Sequence, residues 1–255
     1  MINRRFQVYV TQKNKTKSLW FAIKSAFIII FIIFSVVAIC VYVSIEKKKE
    51  NNFLQQSFYF VYSSKYRKES MLFSEKEALK KFGGACEIYY HKNQYYLLVN
   101  VCFFKENAEK MAADIKNEFP NAGVLRITTS KFSRDAKTRV MGCFEVKNAL
   151  KQIKSNLDGV MKLQSNFALQ KIDAGDVISK FVKYKLDLQM ISKRLSDANN
   201  EVGDLVASYI EMKLLCYDEF FEKFYVQEAN RVHLISKMAT KLAIIQIKMI
   251  NNLSI

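Results

Sequence analysis

The chain has 255 residues, of which 50% are hydrophobic, with 40 basic and 24 acidic residues and a net charge of +16. Its 20 Phe and 13 Tyr give it enough apolar surface to fold, which excludes a disordered chain. Seven Gly and one Pro are few for a fold rich in loops, so the composition favours long helices. The positive surplus favours contact with anionic polymers or lipid headgroups and identifies neither.

The N-terminal residues predict a membrane anchor. Residues 1–25 hold six basic residues and no acidic one, and residues 26–45 carry no charge. A helix of that length covers about 30 Å, the thickness of the hydrocarbon core of a bilayer. Because the more basic flank stays inside, the sequence predicts a cytoplasmic tail over 1–25, a single transmembrane helix over 26–45 and an extracytoplasmic C-terminal part. Nucleic acid is therefore not an expected partner.

A cleavable secretory signal is the alternative interpretation of this segment. Its apolar core would have about 7–15 residues, which is shorter than the run observed, and no small-x-small cleavage site precedes Glu46. We therefore expect an uncleaved signal anchor, followed by a linker over residues 46–57.

Residues 58–130 predict alternating strands and helices. The strand runs are FYFVY, ACEIYY, QYYLLVNVCFF and VLRIT, and the helical runs are SEKEALKKF and KENAEKMAADIKNEF. Ser74 is expected to cap the first helix and Gly83 to end it. His91, Lys92 and Asn93 suit a hairpin turn between the second and third strands.

The order strand, helix, strand, strand, helix, strand predicts a split βαβ sheet of four antiparallel strands, with both helices on one face. On the third strand, alternation predicts that one set of residues faces the helices and the other set faces away. The first set is Leu97, Val99, Val101 and Phe103, and the second is Leu98, Asn100 and Cys102. The second sheet face is then a binding surface if it stays open, and core if C-terminal helices cover it.

Residues 138–255 predict an all-α region of three or four helices, so the fold class of the whole is α+β. Breaks are expected near 172–175 and 199–203, where Asp173 and Asn199 or Asn200 can cap the helices that follow. The last segment, from His233 onward, is expected to pack within a bundle rather than lie on the membrane. Two apolar stripes follow a helical spacing: Val177, Phe181, Tyr184, Leu188, Ile191 and Leu195, then Leu205, Tyr209, Met212, Leu215 and Cys216, followed by an aromatic cluster of Phe220, Phe221, Phe224 and Tyr225.

These stripes have two interpretations. The simpler one is the core of a small antiparallel bundle. The alternative is a seam for a partner protein or for a homodimer.

The chain lacks the residue patterns of an enzyme. His91 is expected to be solvated and His233 to lie on a helix surface, and no acidic cluster adjoins either residue. No nucleophile elbow, zinc-protease motif or phosphate-binding loop occurs. The cysteines are too widely spaced for a metal site and are first interpreted as small core residues, although the four outer ones could pair. We expect no catalysis, metal or cofactor.

The segment from FYFVYSS through GGACEIYY to YYLLVNVCFFKENAEKM resembles a SPOR domain. SPOR domains are peptidoglycan-binding modules of bacterial cell-division and sporulation proteins, and they commonly follow a single N-terminal span. The resemblance covers roughly 70 to 75 residues. It implies a protein of the bacterial cytoplasmic membrane that binds cell-wall glycan strands at division or sporulation sites.

The sequence departs from the SPOR pattern where that family contacts glycan. Val61 and Ser63 stand where the family usually has a Gln and then a Gly near the end of the first strand, and Cys102 stands where a second Gly is usual. Carried over by position, the residues implied for the glycan-binding face are Tyr59, Val61, Ser63, Leu98 and Asn100. The alternative is a noncatalytic scaffold for envelope proteins that acts through its C-terminal helices.

Overall fold

A computed structural model describes residues 55–255, which form a four-stranded antiparallel sheet and seven α-helices. The strands, in sheet order β2-β3-β1-β4, are β1 (Ser57–Tyr66), β2 (Glu87–His91), β3 (Gln94–Cys102) and β4 (Gly123–Thr128). Helix α1 (Phe73–Lys81) follows β1, and α2 (Lys105–Asp114) follows β3. The predicted α+β class and the four-stranded antiparallel sheet are confirmed.

The predicted tail (1–25), the predicted transmembrane helix (26–45) and most of the predicted linker (46–57) lie outside the described residues. From residue 55 to residue 255, no helix is both long and apolar enough to cross a membrane.

Two turns of the strand-rich half, residues 57–128, use special backbone conformations. Lys92 and Asn93 have φ values of 48° and 61°, which make the two-residue turn that suits a β-hairpin. Gly83 ends α1 with φ +84°, and the Gly84 N–H donates to the Leu79 carbonyl, as in a Schellman motif. The predicted cap at Ser74 is wrong, because a 3-10 turn (Glu69–Leu72) leads directly into α1 and places Ser74 inside the helix.

The helical half, residues 134–253, contains one short and four long helices. These are α3 (Arg134–Gly142), α4 (Phe144–Ala168), α5 (Ala174–Asp197), α6 (Glu201–Phe224) and α7 (Arg231–Leu253). Asp173 caps α5 in a capping box with Asp176, and the Asn200 side chain accepts from two N–H groups of α6. Both predicted breaks are confirmed, whereas the separate helix α3 was not predicted.

The first face of the sheet packs against α1 and α2. Ten buried apolar side chains make this cluster. They are Val61, Leu72, Leu79, Leu97, Val99, Ala108, Ala112, Ile115, Phe119 and Ala122. All of them come from residues 61–122, so this face is built from neighbouring parts of the chain.

The second face of the sheet is covered by the helical half. Phe58, Phe60 and Leu98 are fully buried there, in one continuous core with side chains of α4 and α7. Helix α7 also contacts β3 and β2 directly. Of the two alternatives for this face, the covered one is therefore correct. The described residues belong to one compact unit, in which the two halves share this core.

A bulge in β3 changes which side chains share a face. Val61 pairs with Asn100 and Tyr62 with Leu98, so Val99 has no partner on β1. An extra residue in one strand reverses the alternation beyond it. Leu97 and Val99 pack under the first face as predicted, but Val101 packs against the helical half. The prediction that Val101 and Phe103 share a face with Leu97 is therefore wrong.

The apolar stripe of α5 is confirmed, and that of α6 is wrong. On α5, Val177, Phe181, Leu188, Ile191 and Leu195 are buried, with Tyr184 partly buried beside them. On α6 the buried apolar residues at heptad spacing are instead Val206, Ile210 and Tyr217, followed by Phe220 and Phe224 of the predicted aromatic cluster. Met212 and Leu215, both predicted to be core, are 43% and 68% exposed.

Candidate functional site

The five residues implied for glycan binding do not form one accessible face. Val61 is fully buried under α1 and α2, with Tyr59 partly buried beside it, whereas Leu98 is fully buried under the helical half. Ser63 is 1% exposed, at an irregularity of β1 where its hydroxyl donates to the Leu97 carbonyl. Asn100 is half-buried in the β3 bulge. The bulge and the covering helices separate residues that strict alternation would group.

Asn100 instead lies at a groove between the two halves. This α2–α4 groove encloses about 740 Å³ and is lined by α2, the end of β3, the corner after α1, the C-terminal part of α4 and the first turns of α7. Such a volume is typical of ligand-binding sites, which span roughly 300–1,000 Å³.

Four large apolar side chains line this groove and remain exposed. Phe82 is 51% exposed, Phe104 66%, Leu169 60% and Val232 41%. They come from four different segments, so only the folded chain brings them together. Exposed apolar side chains that gather at one concave surface are typical of an interaction site.

Asn100, Gln164 and Ser236 form a polar patch in the same groove. Gln164, on α4, is only 4% exposed. Its Nε2 donates to Asn100 Oδ1 and, at 3.1 Å, to Ser236 Oγ. Asn100 Oδ1 also accepts from the Val101 N–H at 2.7 Å. This network joins β3, α4 and α7 at one point.

The network leaves one donor and one acceptor largely unused. Among residues 55–255, Asn100 Nδ2 has as its partner only the Met111 Sδ, at 3.4 Å, and a thioether is a weak acceptor. In the described part of the chain, both hydrogen bonds of the Gln164 side chain are donated by Nε2, so Oε1 has no donor. A bound group that offers an acceptor and a donor side by side would satisfy both.

His233 fixes the corner of the groove near Gly83 and Gly84. Its Nδ1 lies 2.6 Å from the Gly84 carbonyl, and the ring is 6% exposed. The prediction of a surface histidine is therefore wrong. Burial lowers the pKa of His233 more than the hydrogen bond to the carbonyl raises it. A charged imidazolium would have to lose its hydration at this position.

Cys102 also lines the groove, but its thiol is poorly suited to nucleophilic chemistry. Burial raises the pKa of Cys102, and likewise that of Cys86, to about 11. The thiolate is the reactive form and is scarce at neutral pH for such a group. The four cysteines of the described chain are free and half-buried, which fits the interpretation as small core residues better than pairing.

A buried lysine between α6 and α7 was not predicted. Lys213 is 2% exposed, and its Nζ donates to Gln246 Oε1 at 2.9 Å and to the Leu242 carbonyl at 3.4 Å. Burial without a carboxylate partner lowers the pKa of Lys213 to about 7. The amine sits inside the bundle rather than at a cavity, so its role is in the stability of the core.

The heptad spacing of the sequence could have predicted that the polar residues Gln164 and Lys213 are buried. Gln164 extends the buried series Val146, Leu150, Ile153, Leu157 and Val160 of α4 by one more step of four. Lys213 likewise falls between Ile210 and Tyr217 on the buried series of α6. A polar side chain at a core position of a heptad is a sign of a specific buried contact.

A second surface lies on α5 and α6. Leu186 and Met190 of α5 are 54% and 50% exposed, one helical turn apart, and Met212 and Leu215 of the neighbouring helix α6 are 43% and 68% exposed. Two side-chain contacts fix the register of these helices, namely the ion pair of Lys185 with Asp218 and the hydrogen bond of Ser192 with Glu211. These four apolar residues are named here the α5–α6 surface.

Comparison with protein-family models, with curated proteins and with solved structures found no match to this chain. Between residues 55 and 255, no group of three or more His, Cys, Asp or Glu side chains could hold a metal ion.

Proposed function

We propose that this protein is a membrane-anchored, noncatalytic scaffold that docks a partner protein outside the cytoplasm through its helical half. The observation that carries this proposal is the exposure of the α5–α6 surface. Leu186, Met190, Met212 and Leu215 are each between 43% and 68% exposed, although all four are large apolar side chains. An apolar strip on adjacent helices gains free energy when a second protein removes it from water, at about 25 cal/mol for each Å².

The anchor rests on the sequence alone. The uncharged run over 26–45 and the basic residues before it favour a single span with the N-terminus in the cytoplasm. The strand order β2-β3-β1-β4 agrees with the resemblance to SPOR domains, and we include a SPOR-like fold of residues 58–130 in the proposal.

Peptidoglycan binding at division or sporulation sites is the function that the resemblance implies. It needs a sheet face that glycan strands can reach. Helices cover both faces of this sheet, and Leu98 and Val61 are fully buried. We therefore place the scaffold function first, and glycan binding stays a prediction.

Photo-crosslinking in cells tests the proposal. A photoreactive amino acid is placed at Leu186 or at Leu215, and for comparison at the exposed Phe144 of α4. We expect one discrete adduct from the first two positions and none from Phe144. The mass of the adduct distinguishes a second copy from another envelope protein. Absence of an adduct at both positions, with sedimentation of the protein on amidase-treated sacculi, would favour glycan binding instead.

A further inference from the structure

We infer that the α2–α4 groove binds a short, extended and uncharged apolar peptide segment of a partner protein. The inference rests on the proposed scaffold function and adds a second point of contact to it, distinct from the α5–α6 surface.

The polar patch of the groove fits a peptide group. A backbone amide presents one carbonyl acceptor and one N–H donor. Within the part of the chain that the structure describes, Asn100 Nδ2 offers a donor whose partner is only a thioether, and Gln164 Oε1 offers an acceptor without a donor. The hydrogen bond from Gln164 Nε2 to Asn100 Oδ1 keeps the two side chains adjacent. One residue of an extended peptide can therefore satisfy both, because its own N–H and C=O point to the same side of the chain.

The apolar rim fits the side chains of such a segment. Phe82, Phe104, Leu169 and Val232 line the same groove as the polar patch and are between 41% and 66% exposed. An extended segment places alternate side chains on opposite sides, where they can contact the rim while the backbone contacts the polar patch. A sugar would instead place hydroxyls against this apolar rim, where they would lose hydrogen bonds to water.

The charges that line the groove balance each other. Lys110 and Asp114 stand on α2, and Lys162 and Asp158 stand on α4. Neither sign dominates, so the groove does not select an anionic or a cationic ligand. This balance favours an uncharged segment and distinguishes the groove from the basic character of the whole chain.

A peptide-binding titration tests the inference. The full chain, held in phosphatidylcholine nanodiscs, is titrated with a pool of N-acetylated, C-amidated pentapeptides built from Ala, Val, Leu and Phe. Binding is followed by calorimetry and by the side-chain amide signals of Asn100 and Gln164 in NMR spectra. We expect saturable binding that shifts both amide signals, and no binding of N-acetylglucosamine oligomers.

Matched variants test whether the peptide binds in the groove. Phe104→Ser and Leu169→Ser change exposed rim residues and should each weaken binding about tenfold. Phe144→Ser and Val226→Ser change exposed apolar residues that do not line the groove, and should leave binding unchanged. Asn100→Asp keeps the acceptor for Val101 and Gln164 but removes the Nδ2 donor, and should also weaken binding about tenfold.

Three results would overturn the inference. Peptide binding that is equal in rim and control variants places the site elsewhere. Sugar oligomers that bind and lose affinity in Phe104→Ser identify a glycan site. Peptides that bind residues 55–255 but not the full chain show that the protein's own N-terminal residues fill the groove. None of these results changes the crosslinks expected from Leu186 and Leu215, so failure of the inference and failure of the scaffold proposal can be told apart.

Discussion

The two faces of the sheet differ in what covers them. The first face meets α1 and α2, which are close to the strands in the chain, and its apolar cluster comes entirely from residues 61–122. The second face meets α4 and α7, which are remote in sequence, and the contact region includes the buried polar residues Gln164 and Ser236. The first face therefore depends on local topology, whereas the second depends on specific long-range contacts.

Phe60→Ala should disrupt the packing between the second face of the sheet and the helical half. Phe60 is fully buried and stacks on Tyr89 with ring centroids 5.9 Å apart. Loss of a buried phenylalanine costs about 3–5 kcal/mol, so we expect the free energy of unfolding to fall by about that amount. Urea denaturation of residues 53–255, followed by circular dichroism, measures it. Because the halves share this core, the transition should remain single, and survival of a separately unfolding helical half would contradict the shared core.

Leu79→Ala should disrupt the packing of the first face and lower the free energy of unfolding by a somewhat smaller amount. Leu79 is fully buried in α1 and touches the corner at Gly84. We expect a loss of about 2–4 kcal/mol in the same denaturation experiment. Leu186→Ala, at an exposed position on α5, is the control and should change the free energy of unfolding by less than about 0.5 kcal/mol. A Leu79 effect as small as that of the control would show that α1 does not contribute to the core.

Lys213→Met should change how stability depends on pH. The pKa of Lys213 is about 7 in the folded protein and near 10.5 when unfolded, so the unfolded state binds more protons between these values. The parent protein should therefore gain up to about 1.4 kcal/mol per pH unit as the pH rises from about 7 toward 10.5, and this contribution is absent in the variant. Denaturation at pH 7.5, 8.5 and 9.5 measures the slope.

Lys193→Met is the control for the pH experiment. Lys193 is an exposed lysine of α5, so its removal should leave the slope of the parent unchanged. Equal slopes in the parent and in Lys213→Met would show that the buried amine does not titrate in this range.

Glu219→Gln should have the smallest effect. Burial alone would raise the pKa of Glu219, but hydrogen bonds from Lys241, Lys223 and Lys237 outweigh it and hold the pKa well below its usual range. Lys241 also reaches Glu87 of β2 at 4.0 Å, so the cluster ties α6 and α7 to the edge of the sheet.

Because the cluster is partly exposed, we expect Glu219→Gln to lower the free energy of unfolding by about 1 kcal/mol or less at pH 7 and low salt. A lowered pKa stabilises the fold above the usual pKa of a glutamate, so the difference from the parent should shrink as the pH falls below about 4.3. It should also shrink in high salt. A difference as large at pH 3 as at pH 7 would show that the carboxylate charge is not responsible.

The strand and helix order was predictable because it rests on local signals. The turn residues Lys92 and Asn93, the helix stop at Gly83 and the cap at Asp173 each act within a few residues of the chain. The stripe of α5 was also predictable, since its buried residues alternate by three and four. The stripe of α6 was not predictable from the sequence. That helix is apolar on more than one side, so the predicted series and the buried series both fit a helical period.

The candidate site was largely unpredictable. The sequence predicts Asn100 on an open sheet face. The bulge and the helical half place it instead beside Gln164 in a groove. Phe82, Phe104, Leu169 and Val232 are distant in sequence, and no periodic signal relates them. Their proximity is a property of how the two halves pack.

By itself, the sequence determined the fold class, the sheet, the helical texture of the C-terminal half and the expectation of an anchor, because these follow from hydrophobic periodicity, turn chemistry and the length of an apolar run. Only the tertiary structure decided that the second sheet face is core, that Met212 and Leu215 are exposed and that Asn100 and Gln164 meet. The physical reason is that burial depends on which apolar faces find each other, and a local pattern does not specify its partner.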